Sequence, residues 1–365
     1  MPIVDSQDSP LDEAMSERLS QRFISEDGLY LDTSLEMTPH LLISVDHMLD
    51  WFNHMEEIAG QPLGRRLAHA SAESEEWRWN LLPPMPKSWL GQQKKRIANV
   101  NSDWAIRGMG QLQMIETSTN GATLLVANRG QTALAAGMAN AVWECIEGQR
   151  FRFQWSDRGA GETVVECTRD SRQIPPPKES ITPWTDVEGE FVDDERLYDR
   201  ARHEADGLWT VEGNRAIILP RDLLLRFEAM AMAYLSATPR STDSRTKWDG
   251  ISEPEQIVLW DAMAEAARRQ FLASGELVLI ASTEHWISVS RRHLALQGLG
   301  YVSNAEEIDE YGGVQLRVSA ALHPAIVVGR LIGCWERAEG RSAKATWSSD
   351  ETGHRIRLES RREIA

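Results

Sequence analysis

Histidines at positions 40, 47 and 54 repeat every seven residues on one predicted helix, and so share a stripe that invites a metal reading. Seven residues of helix span roughly 10 Å, too far for neighbours in the stripe to share one ion, so the stripe reads as a solvated face. Glu284, His285 and His293 lack the HExxH spacing that places two ligands and a general base on one helix face. Gly108-Met109-Gly110 and Gly298-Leu299-Gly300 have neither the third glycine of a dinucleotide fingerprint nor the Lys-Ser/Thr pair of a phosphate loop. They are expected to be turns that need positive φ. Cys145, Cys167 and Cys334 are far apart, without CxxC spacing, and no GxSxG elbow occurs. The pattern therefore points to binding rather than chemistry, with no catalytic residue, metal or cofactor assigned.

Two dipeptides stand out as contact candidates, Trp143-Glu144 and Trp335-Glu336, each late in a predicted helix. The tryptophan is expected to pack on a sheet or on the other half of the chain, and the glutamate to reach a basic residue such as Arg152 or Lys344. Trp77, Trp79 and Trp89 lie near Pro83-Pro84 in a stretch that reads as loop, so these three are the expected exposed ligand or partner surface.

Composition narrows the partners. The 365 residues are 42% hydrophobic and 26% charged, ordinary for a globular chain of about two domains. A formal net charge of -16 repels phosphate backbones, so nucleic acid is not expected, and Lys94-Lys95-Arg96 is a lone basic run. The apolar runs at 223–237 and 325–335 are interrupted by Arg226, Glu228 and Arg330. Neither reaches the ~20 residues of a membrane span. An acidic, polar start without a signal-peptide pattern and unpaired cysteines lead to a cytoplasmic expectation, with peripheral association with a membrane complex left open.

The chain also repeats. Gly121–Arg169 laid on Gly313–Arg361 without a gap matches at 13 of 49 positions, including Gly137 with Gly329, Trp143-Glu144 with Trp335-Glu336, and Trp155-Ser156 with Trp347-Ser348. Upstream, Trp104–Gly110 lies on Leu294–Gly300, Asp27-Gly28-Leu29-Tyr30 on Asp206-Gly207-Leu208-Trp209, and Pro39 on Pro220. This divides the chain into an acidic tail (1–22), a first copy (23–172), a linker rich in proline and acid (173–200) and a second copy (201–365). Tail and linker are expected to be extended and solvated. Each copy is expected to be α+β, with N-terminal helices followed by an antiparallel sheet that holds one inserted helix. Thr38 and Pro39 are the expected start of the first helix and Gly60 its stop; Ser252, Pro254 and Glu255 are the expected capping box of its counterpart, which Gly275 ends. Phe151, Phe153 and Trp155 alternate on a closing hairpin.

RGMG at Arg107–Gly110, then an apolar strand, then AAGMANAVWECIEGQ at Ala135–Gln149 leading into a hairpin resembles the V4R (4-vinyl reductase) domain. That family carries an RGWG-like turn, a strand, a glycine-containing helix and a closing hairpin; GQPLGRRL at Gly60–Leu67 resembles its preceding helical region. The resemblance implies a dimerising scaffold fold, and relatives that serve bacteriochlorophyll synthesis or sense small aromatic molecules. It also implies zinc held by a Glu and Cys cluster at the hairpin. The chain departs from that pattern, since Glu166-Cys167 has no further cysteine nearby and the second copy has Leu358 and Glu359 there.

Together these readings lead to a non-catalytic tandem V4R-like protein, an accessory or assembly subunit working through a protein partner surface or a small hydrophobic ligand pocket. A bacteriochlorophyll or tetrapyrrole-related reductase or its accessory, in a photosynthesis setting, is the first alternative. A small-aromatic sensor is the second, and no DNA-binding or ATPase segment accompanies it.

Overall fold

The structure is a computed structural model that describes residues 9–86, 91–159, 161–192, 195–235, 241 and 243–361. It is α+β, with nine helices and three sheets among the described residues. Helix α1 (Pro10–Arg22) leads into β1 (Phe23–Glu26), β2 (Leu29–Asp32) and β3 (Thr38–Ser44). Then come α2 (Val45–Ala59), α3 (Gly64–Leu81), α4 (Gln92–Arg107), β4 (Gln111–Ser118), β5 (Gly121–Ala127), α5 (Thr132–Glu147), β6 (Phe151–Asp157) and β7 (Thr163–Arg169). The second half runs in the same order: β8 (Ala201–Ala205), β9 (Leu208–Val211), β10 (Asn214–Pro220), α6 (Arg221–Leu235), a short added strand β11 (Thr246–Trp248), α7 (Pro254–Ala273), α8 (His285–His293), β12 (Gly300–Glu307), β13 (Val314–Ala321), α9 (Pro324–Glu339), β14 (Ala343–Asp350) and β15 (Gly353–Ser360).

Both halves begin with three strands, where the sequence reading put helices first. Leu41-Leu42-Ile43 follows helical spacing on paper, yet it pairs antiparallel with Ile217-Ile218-Leu219. β3 and β10 thereby join the halves into one sheet of order β1-β2-β3-β10-β9-β8. Buried on both faces, such strands read as continuous apolar runs. Leu41, Ile217 and Leu219 enter the large core, whereas Leu42, Ala216 and Ile218 enter a second one. The first helix therefore starts at Ser44, whose hydroxyl accepts the His47 N–H at 3.1 Å, and Thr38-Pro39 lies in the strand. Pro220 ends β10 as Ser44 ends β3, so Ser44, not Pro39, is its counterpart. The second capping box does not form either: Glu253 precedes α7 without a side-chain cap.

The two glycine motifs of the sequence meet each other. Gly110 donates its N–H to Gly207 O at 2.9 Å, and Gly300 donates to Gly28 O at 2.9 Å. Each half thus sets its Gly-x-Gly turn on the Asp-Gly hairpin of the other. A side chain would end this contact, since a Cβ on Gly207 would lie 2.2 Å from Gly110 O and one on Gly28 2.5 Å from Gly300 O. Positive φ at Gly108, Gly110, Gly298 and Gly300 agrees with turns rather than a phosphate loop. Helices exchange likewise, α2 packing on α7 and α6 on α3.

Residues 10–22 correct the expectation of an extended tail. Ser9 and Asp12 form a capping box, and Met15 and Leu19 are buried in the second core. The linker is extended but pinned: Trp184 is buried, Val187 N–H reaches Ser319 O at 2.9 Å, and Gly189 N–H reaches Asp27 Oδ2 at 2.6 Å.

The helix of each later block crosses its neighbour through a glycine. A Cβ on Gly137 would lie 1.9 Å from Ala68 O in α3, and one on Gly329 2.1 Å from Ala264 O in α7. Gly137→Ala and Gly329→Ala are each expected to lose about 1–3 kcal/mol of stability, since the overlap forces the helices apart. Urea midpoints of the two variants check this, and both should fall.

Candidate functional site

The contact candidates from the sequence lie mostly inside the molecule. Trp77 and Trp79 are on α3, not in a loop; Trp77 is half-buried, with Arg226 6.0 Å from its ring. Trp79 is buried and donates Nε1–H to Glu75 Oε1 at 2.9 Å. Trp89 lies outside the described residues. Trp143 is buried against Phe151, and Trp335 is buried with Nε1–H donated to Gly312 O at 2.8 Å. Glu144 and Glu336 perform one task in both halves, accepting the first N–H of the hairpin, Phe151 at 2.7 Å and Ala343 at 2.9 Å. Their basic partners are Arg150 at 2.7 Å for Glu144, and Arg245 at 3.2 Å with Arg268 at 2.6 Å for Glu336. These replace the expected Arg152 and Lys344. The dipeptides hold the hairpin to its helix.

The histidine stripe dissolves as well. His40 is in β3 and fully buried, His47 is half-buried on α2, and His54 is half-buried at 3.6 Å from Glu57. Burial pushes His40 down to about 4 from 6.5, with Asp32 opposing that shift. The unfolded chain takes up this proton near 6.5, while the folded chain refuses it until about 4. Stability is thus fully present above 6.5 and lost as pH falls toward 4, by roughly 3 kcal/mol. Urea unfolding at pH 7 and pH 4.5 should show the loss, and His40→Asn should flatten the slope.

Glu166 and Cys167 alternate on β7, one exposed and one buried, so they point to opposite faces and do not share an ion. Among the described residues no group of three or more His, Cys, Asp or Glu could hold a metal. Burial pushes all three thiols up to about 12.

Two places concentrate buried charge. In the first half, Asp32, Glu75 and Asp103 interlock with Arg22, Arg78 and Arg107. Arg22 bridges Asp32 at 2.7 Å and Asp103 at 2.8 Å; Arg107 bridges Glu75 at 2.8 Å and Asp103 at 2.9 Å; Arg78 pairs with Asp103. Glu75 Oε1 also accepts Trp104 Nε1–H at 2.9 Å. Despite burial, the three guanidinium groups hold the Asp103 carboxyl well below its usual range. The network has three charges of each sign.

The second half is built differently at the same place. The glycine crossings put Phe271 where Glu75 stands, and the Gly-x-Gly turns put His293, Leu294 and Gln297 where Asp103, Trp104 and Arg107 stand. The two acids are gone. One cation enters instead from α9, Arg330, opposite Met138 of α5. It is 4% exposed in a helix buried from Pro324 to Trp335. Its Nη2 donates to Gln297 Oε1 at 2.8 Å and its guanidinium lies 5.5 Å from the Phe271 ring centre. Arg330 makes no salt bridge among the described residues, although Glu276, held by Arg292 at 3.3 Å, lies near enough to favour its charge; its Nε has no hydrogen-bond partner.

Arg330 borders a groove of about 550 Å³ to which both halves contribute, with Ser44 and His47 from one and Arg292, His293 and Gln297 from the other. Glu195, Glu212 and Glu276 in its wall are taken by Arg200, Arg291 and Arg292; the Arg291–Glu195 distance is 3.4 Å and Arg292–Glu276 3.3 Å. That leaves Arg330 as the surplus charge. Burial pushes His47 down from its ordinary value and His293 to about 4, with Arg330 adding to both shifts, so neither adds charge at neutral pH.

No family model, curated protein or solved structure matches the chain. The site therefore rests on its own geometry.

The second half holds another buried polar cluster. His323 Nε2 lies 3.1 Å from Glu228 Oε2, and His354 Nε2 lies 2.8 Å from Asp186 Oδ1, among Trp184, Trp248, Trp260 and Trp347. His323 Nδ1 accepts the Ala325 N–H, so its Nε2 carries the proton that bonds Glu228. Each ring is closed off by partners on both nitrogens, as in a satisfied core. Among the described residues no helix is long and apolar enough to cross a membrane.

Sequence reasoning missed the Arg330 site, although the signal was present. One arginine interrupts an apolar run, opposite a methionine in the other copy.

Proposed function

We propose that the protein is a non-catalytic binding protein made of two V4R-like copies, one a rigid support and the other a receptor for a small molecule, acting as an accessory or assembly subunit. The observation that carries this reading is the contrast at one place in the two halves. The first fills it with a balanced ionic network, of which Arg22 and Asp103 border a groove of about 580 Å³, while the second removes the acids and leaves Arg330 without a salt bridge on its own groove. A buried charge without a salt bridge costs several kcal/mol, which a fold has no reason to bear unless something offsets it. The groove volume of about 550 Å³ lies within the range of small-molecule sites. The repeated element order and the reciprocal glycine contacts support the tandem arrangement. Among the described residues the groove's serine hydroxyls bond backbone groups, Ser44 the His47 N–H and Ser288 the His285 carbonyl, rather than a histidine ring, which favours binding over reaction.

The test is a thermal-shift screen of the full chain against small neutral and charged organic compounds, repeated with Ser288→Trp, which fills the groove from its exposed wall. Compounds that stabilise the chain but not the variant are expected. A screen without hits, or hits indifferent to the variant, overturns the reading.

A further inference from the structure

We infer that the groove takes a small organic monocarboxylate, with Arg330 as the seat of its carboxylate, an inference that rests on the binding reading above. The argument starts from charge. Among the described residues four arginines and three glutamates line the groove, and each of those glutamates already has an arginine, so this part of the wall has one positive charge more than negative. One spare charge matches a monoanion. A phosphate dianion would leave a negative charge uncompensated in a place where Arg330 is only 4% exposed.

Geometry gives the second step. A guanidinium presents paired N–H donors in a plane that fits a carboxylate, and only Nη2 of Arg330 has a hydrogen bond among the described residues, to the neutral Gln297. A neutral amide holds the side chain in place without cancelling its charge. In the first half the corresponding place has Glu75 bound to Arg107, so the protein itself shows a carboxylate on a guanidinium there, supplied by the chain instead of a ligand.

The surroundings give the third. Arg330 and Gln297 also border a cavity of about 30 Å³ lined by Leu41, Met48, Trp51 and Leu299, and the groove wall itself includes Ile43 and Leu296. The guanidinium thus stands between a wet groove and an apolar interior, which suits a compound with a charged head and a compact apolar body. The inner cavity is small beside the groove, with room for the apolar end of a compact compound.

The experiment is calorimetric titration of the full chain with benzoate, cyclohexanecarboxylate, benzamide and inorganic phosphate, on the parent and on Arg330→Met, Arg330→Lys and Ser288→Trp. A carboxylate is expected to bind at least tenfold more tightly than benzamide. Arg330→Met is expected to lose at least tenfold in that affinity, and Arg330→Lys to retain part of it. Circular dichroism of Arg330→Met confirms that the variant is folded. Binding of benzamide equal to that of benzoate, or carboxylate affinity unchanged in Arg330→Met, overturns the carboxylate assignment. So does phosphate bound in preference to either carboxylate, and so does failure of both carboxylates to bind. If neutral compounds bind and only Ser288→Trp abolishes them, the carboxylate falls while the binding reading stands; if nothing binds, both fall.

Discussion

Glu75→Ala is expected to lose about 3–5 kcal/mol of stability, the largest effect of any single substitution considered, because it removes one member of a buried ionic network and leaves the others uncompensated. The carboxylate accepts hydrogen bonds from Trp79 at 2.9 Å, Trp104 at 2.9 Å and Arg107 at 2.8 Å, all with Oε1. Without it, Arg22, Arg78 and Arg107 face only Asp32 and Asp103, and two indole N–H groups lose their acceptor. Against a typical total of about 5–15 kcal/mol, such a loss leaves a marginal fold. Glu75→Gln keeps an acceptor for the tryptophans but not the charge, so its loss should be smaller. Urea denaturation followed by circular dichroism measures both. A loss under about 1 kcal/mol for the alanine variant would show that water or another acid replaces the carboxylate.

Arg330→Met should act in the opposite direction and raise stability by about 1–4 kcal/mol, since the methionine removes a buried charge and restores the residue that the first half uses at Met138. The surrounding helix is buried from Pro324 to Trp335, so an apolar side chain of similar length finds apolar neighbours. A gain in the urea midpoint together with the loss of ligand binding would mark Arg330 as a residue retained at a cost in stability. A loss of stability instead would mean that its contacts with Gln297 and Phe271 already offset its burial.

The two substitutions probe one place seen twice. In the first half the chain supplies both signs of charge and the place is structural. In the second, Phe271 and His293 replace the acids, and a cation from α9 is left facing the groove. On the reading proposed above, the first copy supports and the second binds. The second half is also longer between its equivalent points, 78 residues from Pro220 to Gly298 against 64 from Ser44 to Gly108. Part of that excess forms β11, which pairs with β14 in parallel and brings Trp248 against Trp260 and Trp347.

Local signals in the sequence were reliable where a helix or hairpin is bounded by its own residues. Gly60, Gly148 and Gly340 end their helices in left-handed conformation, Pro324 begins α9, and the aromatic alternation at Phe151, Phe153 and Trp155 is a strand. The gap-free match of the later block predicted matching elements, and α5 and α9 occupy equivalent ranges. Signals failed where the partner is distant. Leu41-Leu42-Ile43 has a spacing that suits helix or strand, and only Ile217-Ile218-Leu219, over 170 residues away, makes it a strand. Trp77 and Trp79 read as loop because prolines follow them, yet α3 continues to Leu81 before the first proline.

By itself, then, the sequence determined the repetition, the α+β class, the helix stops and the turns, because those follow from backbone preferences and spacing within a few residues. Tertiary structure decided that the Gly-x-Gly turns are the joints between the halves, that His40 is core, and that Arg330 is buried without a salt bridge while Trp79, Trp143 and Trp335 are core. The physical reason is that burial and charge balance belong to the whole fold. An arginine is ordinary in a sequence and becomes exceptional only when it is buried without a salt bridge among the described residues.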